Sequence, residues 1–212
     1  MPRTLTQQRS LQTSTALSKL YVRNMITPDE VIAVLNRAKI SFVLVGLHGL
    51  AGWLKEPRAT QDVDVIVALK HVKKAVKLLL AAFPSLEPDD QEVVVRLRDK
   101  ATGEVHIDVM RPIQPPHRDI FKNTCEAGNK RLPYRVPSLE MALVLKFAPM
   151  ISLTRADKDK YQDAHDFILL VEKNPELDLE KLEKLGELVY NGGGKEVLEM
   201  VRRVRAGEKL KL

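Results

Sequence analysis

The chain has 212 residues, 44% hydrophobic and 29% charged, which is room for one sizeable core and describes a soluble globular protein. A net charge of +6 and a pI near 9.4 permit a polyanionic partner such as RNA or a nucleotide. The lone cysteine, Cys125, excludes an internal disulfide and a thiolate zinc cluster, and no apolar run is long enough to span a bilayer, so a reducing, cytoplasmic setting is expected.

The first 25 residues carry Arg3, Arg9, Lys19 and Arg23, no acid, and many Thr, Ser and Gln. That composition suits a transit peptide or a frayed polar N-terminus, and there is no secretory apolar region. Thr27-Pro-Asp-Glu30 then reads as a capped helix start, with the helix running to about Ala38. Ile40 to Val45 is an expected strand, Gly46 to Gly49 a turn, and Leu50 to Leu54 a short helix ended by Lys55-Glu-Pro57. A second strand is expected over Asp62 to Ala68, and His71 to Phe83 has apolar residues at helical spacing. Pro84 to Asp90 reads as loop, and Glu92 to Leu97 and Glu104 to Met110 as strands around an Asp99–Gly103 turn. Pro112 to Lys130 is proline-rich and expected to be irregular, and Tyr134 to Val136 is a short last strand. After Pro137 four helices are expected: from Ser138 to about Met150, Asp157 to about Val171, Leu179 to Tyr190, and Lys195 to about Ala206.

The expected architecture is α+β: a mixed sheet with helices on one face, plus a C-terminal helical subdomain. The domains are read as a flexible polar N-terminus over 1–25, an α/β core over 26–137 and a helical region over 138–212.

The chemistry concentrates in Arg58-Ala-Thr60-Gln-Asp62-Val-Asp64-Val-Ile-Val67. Strand side chains alternate, so Asp62 and Asp64 share one face while Val63, Val65 and Val67 take the other. Two carboxylates side by side at the start of an apolar strand repel each other. Bound divalent cations offset that repulsion, as magnesium-assisted phosphoryl or nucleotidyl transfer requires. Asp108, in Glu104-Val-His106-Ile-Asp108-Val-Met110, would add a third acid if its strand lies beside the second strand. Alternatively, these acids mark the polar face of a half-exposed sheet.

An apolar strand, a glycine turn, a short helix, an Asp-x-Asp strand and a later strand-borne acid together resemble the nucleotidyltransferase superfamily of DNA polymerase beta. The run from Gly46 through Arg58-Ala-Thr60-Gln-Asp62-Val-Asp64 is similar to that of the AbiEii-like and MenA-type nucleotidyltransferases, several of which are toxins of toxin–antitoxin pairs. The resemblance implies that Asp62, Asp64 and Asp108 bind Mg2+ and catalyse, with Asp108 as base for the acceptor hydroxyl. It implies that Gly46 and Gly49 let backbone approach the phosphates, and that Arg58, Thr60, Lys146 and Asp163 serve the nucleotide. Lys146 lies in Leu143-Val-Leu-Lys146-Phe-Ala, and Asp163 and Asp166 in the charged run from Asp157. Without the family, Lys146 reads as an exposed lysine on an amphipathic helix. The departure is Leu47, where the family has a second glycine or serine; leucine there would narrow the phosphate pocket.

Weaker signals have ordinary readings. Asn191-Gly-Gly-Gly-Lys195 lacks the strand, spacing and Ser or Thr of a phosphate loop and reads as a helix cap and linker. His48 could touch a nucleotide or simply pack, and His106 neighbours the site. Trp53 reads as core. Arg202, Arg203, Arg205, Lys209 and Lys211 could grip RNA phosphates or form a solvated helix face. The expected function is transfer of a nucleoside monophosphate from an NTP to an RNA end such as tRNA, a protein or a small molecule. The alternative is a non-catalytic nucleotide- or RNA-binding relative, for which Leu47 is the argument.

Overall fold

The computed structural model describes residues 25–54 and 60–210. The expectations for Arg58, Lys211 and nearly all of the N-terminal segment therefore lie outside the described residues.

Helix α1 (Pro28–Arg37) begins as its sequence dictates, with Thr27 and Glu30 closing a reciprocal capping box. Strand β1 (Phe42–Leu44) leads into helix α2 (Gly46–Leu50), and β2 (Val63–Val67) follows. The expected turn over Gly46–Gly49 is therefore itself the helix, and Ala51–Trp53 is the turn. Gly46 takes φ of +57° and so bends the chain from strand straight into helix, leaving no room for a separate loop.

Helix α3 (Val72–Ala82) precedes β3 (Leu86–Asp90), β4 (Val94–Asp99) and β5 (Val105–Met110). Strand β3 corrects the expectation of loop over Pro84–Asp90. Its sequence, Leu-Glu-Pro-Asp-Asp, has little strand propensity, but as an edge strand it needs only one partner, and β4 supplies it. The proline-rich stretch is also more regular than expected: a 3-10 turn (His117–Lys122) and β6 (Thr124–Asn129), which pairs with β7 (Leu132–Pro137). Helices α4 (Leu139–Met150), α5 (Asp157–Lys173), α6 (Leu179–Gly186) and α7 (Gly193–Arg205) follow. No helix among the described residues is long and apolar enough to cross a membrane.

The main sheet runs β1-β2-β5-β4-β3, with β2 and β5 parallel and the other pairs antiparallel. It is the expected mixed sheet of an α+β fold. One face carries Val63, Val65, Val67, Ile107 and Val109, all buried, and packs against α1 and α3 through Val31, Ile32, Leu35, Ala75 and Leu79. Burying each such side chain is worth about 1.5–3 kcal/mol, so this face anchors the strands in register. The other face is divided. Val43, Val45 and Ile66 lie under the C-terminal helices, in one core with Leu143, Phe147, Phe167 and Val201. The remainder of that face is polar. Ser138 caps α4, and Glu140 binds Lys181 at 2.7 Å, tying α4 to α6.

Candidate active site

Alternation along β2 and the β2–β5 register bring the central acids together. Asp64 lies directly opposite Asp108, between the buried pairs Val63–Ile107 and Val65–Val109. In a parallel pair, side chains opposite one another share a face, so the two carboxylates are neighbours on the polar face. Asp62 precedes β2 on the same side and accepts a hydrogen bond from the Thr60 hydroxyl. Thr60 thus holds an acid of the site.

Helix α2 sits over the start of β2. A Cβ placed on Gly46 would fall within the Asp64 carboxylate, and one on Gly49 would strike the Leu44 carbonyl. Both glycines therefore serve close packing of the helix on the strands, and Gly46 puts bare backbone against an acid. The Leu47 side chain is buried in the core with Leu143 and Phe147. That burial makes Leu47 a packing residue between α2 and the C-terminal helices. His48, one position on, lies in the field of Asp62: burial holds its pKa below the usual imidazole value, and the Asp62 charge opposes that shift.

Asp108 is strongly perturbed. Burial, reinforced by Asp62 and opposed by Arg96, raises its pKa to about 6. Its Oδ1 is buried without a hydrogen-bond partner, the nearest cation being Arg96 Nε at 3.9 Å. Buried acceptors left unmatched are uncommon and point to a missing cation or donor. Asp64 and Asp108 are hard oxygen donors, and magnesium typically takes one or two carboxylates together with substrate phosphates. The donor set therefore fits that ion. Among the described residues no three His, Cys, Asp or Glu side chains close into a cage that could hold a metal by itself. Asp64 and Asp108 are neighbours by register, and Asp62 is near enough for its charge to act on Asp108.

Sequence reasoning missed Arg96, which faces Asp108 across β4–β5. The alternation Val94-Val95-Arg96-Leu97-Arg98 signals a polar face, but only strand pairing reveals the partner. His106 shares the Asp108 face, and its Nδ1 is buried without a partner.

Lys146 and Asp163 are brought together as an ion pair. Lys146 Nζ lies 3.0 Å from Asp163 and 2.8 Å from Asp166, and its side chain is only 13% exposed. The reading of an exposed lysine is overturned, because Asp163 and Asp166, one turn apart on α5, close over it. Arg155 joins Asp163 at 2.7 Å and is the more accessible cation of the cluster.

The glycine segment before α7 is a packing device. Glu187 accepts hydrogen bonds from Gly192 N and Gly194 N, filling amides that a phosphate loop would offer to ligand. Gly186 and Gly193 let α6 and α7 touch. The C-terminal basic face is largely matched: Arg202 binds Glu199 and Glu208, Arg203 binds Glu199, and Arg205 donates to Pro175 O. Trp53 is half-buried and donates to Pro137 O.

No protein-family model matches the chain, and no curated protein matches it in sequence. Solved structures do. The solution structure of the antibiotic-resistance factor ANT(2'')-Ia aligns over 84% of this chain and 95% of its own, with TM-score 0.51 and 11% identity. The crystal structure of ANT(2'')-Ia in complex with adenylyl-2''-tobramycin gives TM-score 0.50 at 11% identity, covering 84% of this chain and 94% of its own. An antigenic nucleotidyltransferase-like protein from Paracoccidioides brasiliensis is 18% identical over 87% of this chain and 96% of its own, with TM-score 0.49. The likeness to ANT(2'')-Ia is one of fold: over most of its length the chain shares that nucleotidyltransferase-like α+β architecture.

Proposed function

We propose that the protein transfers a nucleoside monophosphate from an NTP to an acceptor hydroxyl, with magnesium. The observation that carries this reading is the direct pairing of Asp64 with Asp108 on adjacent parallel strands, with the glycine-led helix against Asp64. Mg2+, held by Asp64 and Asp108 with Asp62 beside them, would neutralise phosphate charge. The acceptor oxygen attacks the α-phosphorus, the bond to the β-phosphate oxygen breaks, and pyrophosphate leaves. Asp108, beside the acceptor hydroxyl, takes its proton. Positioning and charge neutralisation supply most of the rate in such chemistry.

His48, within the field of Asp62, is a candidate to contact the nucleotide. Lys146 and Asp163 brace the helical wall, and Arg155 is the cation of that cluster best exposed to meet phosphate. Arg58 remains a candidate for the same role. The burial of Leu47 in the helical core weighs against the alternative of a non-catalytic nucleotide- or RNA-binding relative. An RNA end, a protein or a small molecule remain the acceptor classes; the ANT(2'')-Ia complex holds an adenylylated small molecule.

The test is calorimetry with each NTP and magnesium on wild type and on Asp62→Asn with Asp64→Asn. Saturable, magnesium-dependent binding by wild type alone supports the reading, and equal affinity in the two proteins overturns it. Labelled NTP with total RNA then locates the transferred group.

A further inference from the structure

The polar face of the sheet carries a row of side chains in register: Asp64 on β2, Asp108 on β5, Arg96 on β4 and Asp89 on β3. On one side of Asp108 the face is roofed, since Ile66 lies in the helical core and Met110 packs against it. On the other side Arg96, Arg98 and Asp89 remain about a third exposed or more. A molecule bringing a hydroxyl to Asp108 therefore meets β4.

The cations there are not equivalent. Arg98 is committed to Asp89 at 3.1 Å and to Gly103 O at 3.2 Å. Arg111 is committed to Asp90 at 2.5 Å and to backbone carbonyls. Arg96 has acids opposite it on both neighbouring strands, yet bonds closely to neither. Asp89 turns to Arg98, Asp108 stands off at 3.9 Å, and among the described residues the one hydrogen bond from Arg96 goes to the neutral Gln91 amide at 3.2 Å. A guanidinium has five donors in a planar fork suited to a phosphate oxygen pair. Most of that fork is open, beside the acid that would activate the acceptor.

We infer that Arg96 is the acceptor-anchoring residue, and that the acceptor carries a phosphate next to the hydroxyl that is modified. The inference rests on the nucleotidyl-transfer reading and specifies its acceptor side. Arg96 touches the acceptor's oxyanion, 3.9 Å from the acid to which the hydroxyl is brought.

The experiment titrates inorganic phosphate into the full chain saturated with magnesium and α,β-methylene ATP, so that the nucleotide position is filled. The readouts are calorimetry and the Arg96 Nε–Hε NMR resonance. Wild type should bind phosphate saturably with a shift at Arg96. Arg96→Gln should lose about tenfold or more in phosphate affinity, and Arg96→Lys should retain part of it, since lysine keeps the charge without the fork. Nucleotide affinity should move much less than phosphate affinity. Thermal melts of both variants separate loss of the fork from loss of fold, and the wild-type Arg96 shift stands without any variant. The inference is overturned if phosphate binds Arg96→Gln as it binds wild type, if the Arg96 resonance does not move, or if Arg96→Gln loses nucleotide instead. If wild type binds the corresponding analogue of another NTP instead, that analogue fills the nucleotide position; failure to bind any of the four would overturn the nucleotidyl-transfer reading, and titration of the nucleotide-free protein would still report on Arg96.

Discussion

Gly46 and Asp64 are in contact through an atom that glycine does not have: the space a Cβ would occupy is filled by the Asp64 carboxylate. Gly46 also has φ of +57°, where side chains are strained. Gly46→Ala should therefore destabilise the fold by roughly 1–3 kcal/mol and abolish magnesium-dependent NTP binding. Urea melts and calorimetry check both. Gly46→Ala combined with Asp64→Gly should recover part of the stability and none of the binding; full recovery of binding would show that Asp64 is dispensable.

Asp108 should make stability fall with pH. Its pKa is about 6 in the folded chain against an ordinary 3.8, so the folded state binds more protons between these values. Stability is lost as pH rises from about 4 to 6 and stays at the lower level above, a difference of about 3 kcal/mol. In magnesium-free buffer, Asp108→Asn should be more stable than wild type at pH 8, with the advantage shrinking toward pH 3. The same variant should lose magnesium-dependent nucleotide binding. A pH-independent difference in urea melts would refute the burial argument.

The Lys146 cluster should matter to folding. Removing the ammonium leaves Asp163 and Asp166 buried, 5% and 1% exposed, without the cation that bridges them, while Arg155 stays on Asp163. Lys146→Met should cost about 3–5 kcal/mol, and adding Asp166→Asn should return part of that. Equilibrium denaturation of the single and double variants decides it; additive losses would mean the ions are not coupled.

The glycines between α6 and α7 should respond as packing residues. A Cβ on Gly193 would lie 2.6 Å from Gly186 O, and one on Gly186 2.7 Å from Val197. Gly193→Ala should lower stability by about 1–3 kcal/mol, whereas Lys195→Ala should leave NTP affinity unchanged. A large loss of nucleotide binding in Lys195→Ala would restore the phosphate-loop reading.

The sequence by itself determined the local devices: the Thr27 capping box, the Ser138 cap, the alternation that puts Asp62 and Asp64 opposite three valines, and the glycine-led approach to them. These depend on residues a few positions apart, whose geometry the backbone sets. Tertiary structure decided what depends on pairing between distant segments. Strand β3 exists because β4 is there to pair with it. Leu47 turned from a suspected obstacle into core because the C-terminal helices cover its side of α2, and Lys146 turned from exposed to buried because α5 brings two aspartates over it. Above all, the row Asp64, Asp108, Arg96 and Asp89 comes from four strands whose order only the folded sheet provides. Alternation tells which face a side chain takes, but its neighbour on that face is set by register, and register is fixed by burial of the opposite face.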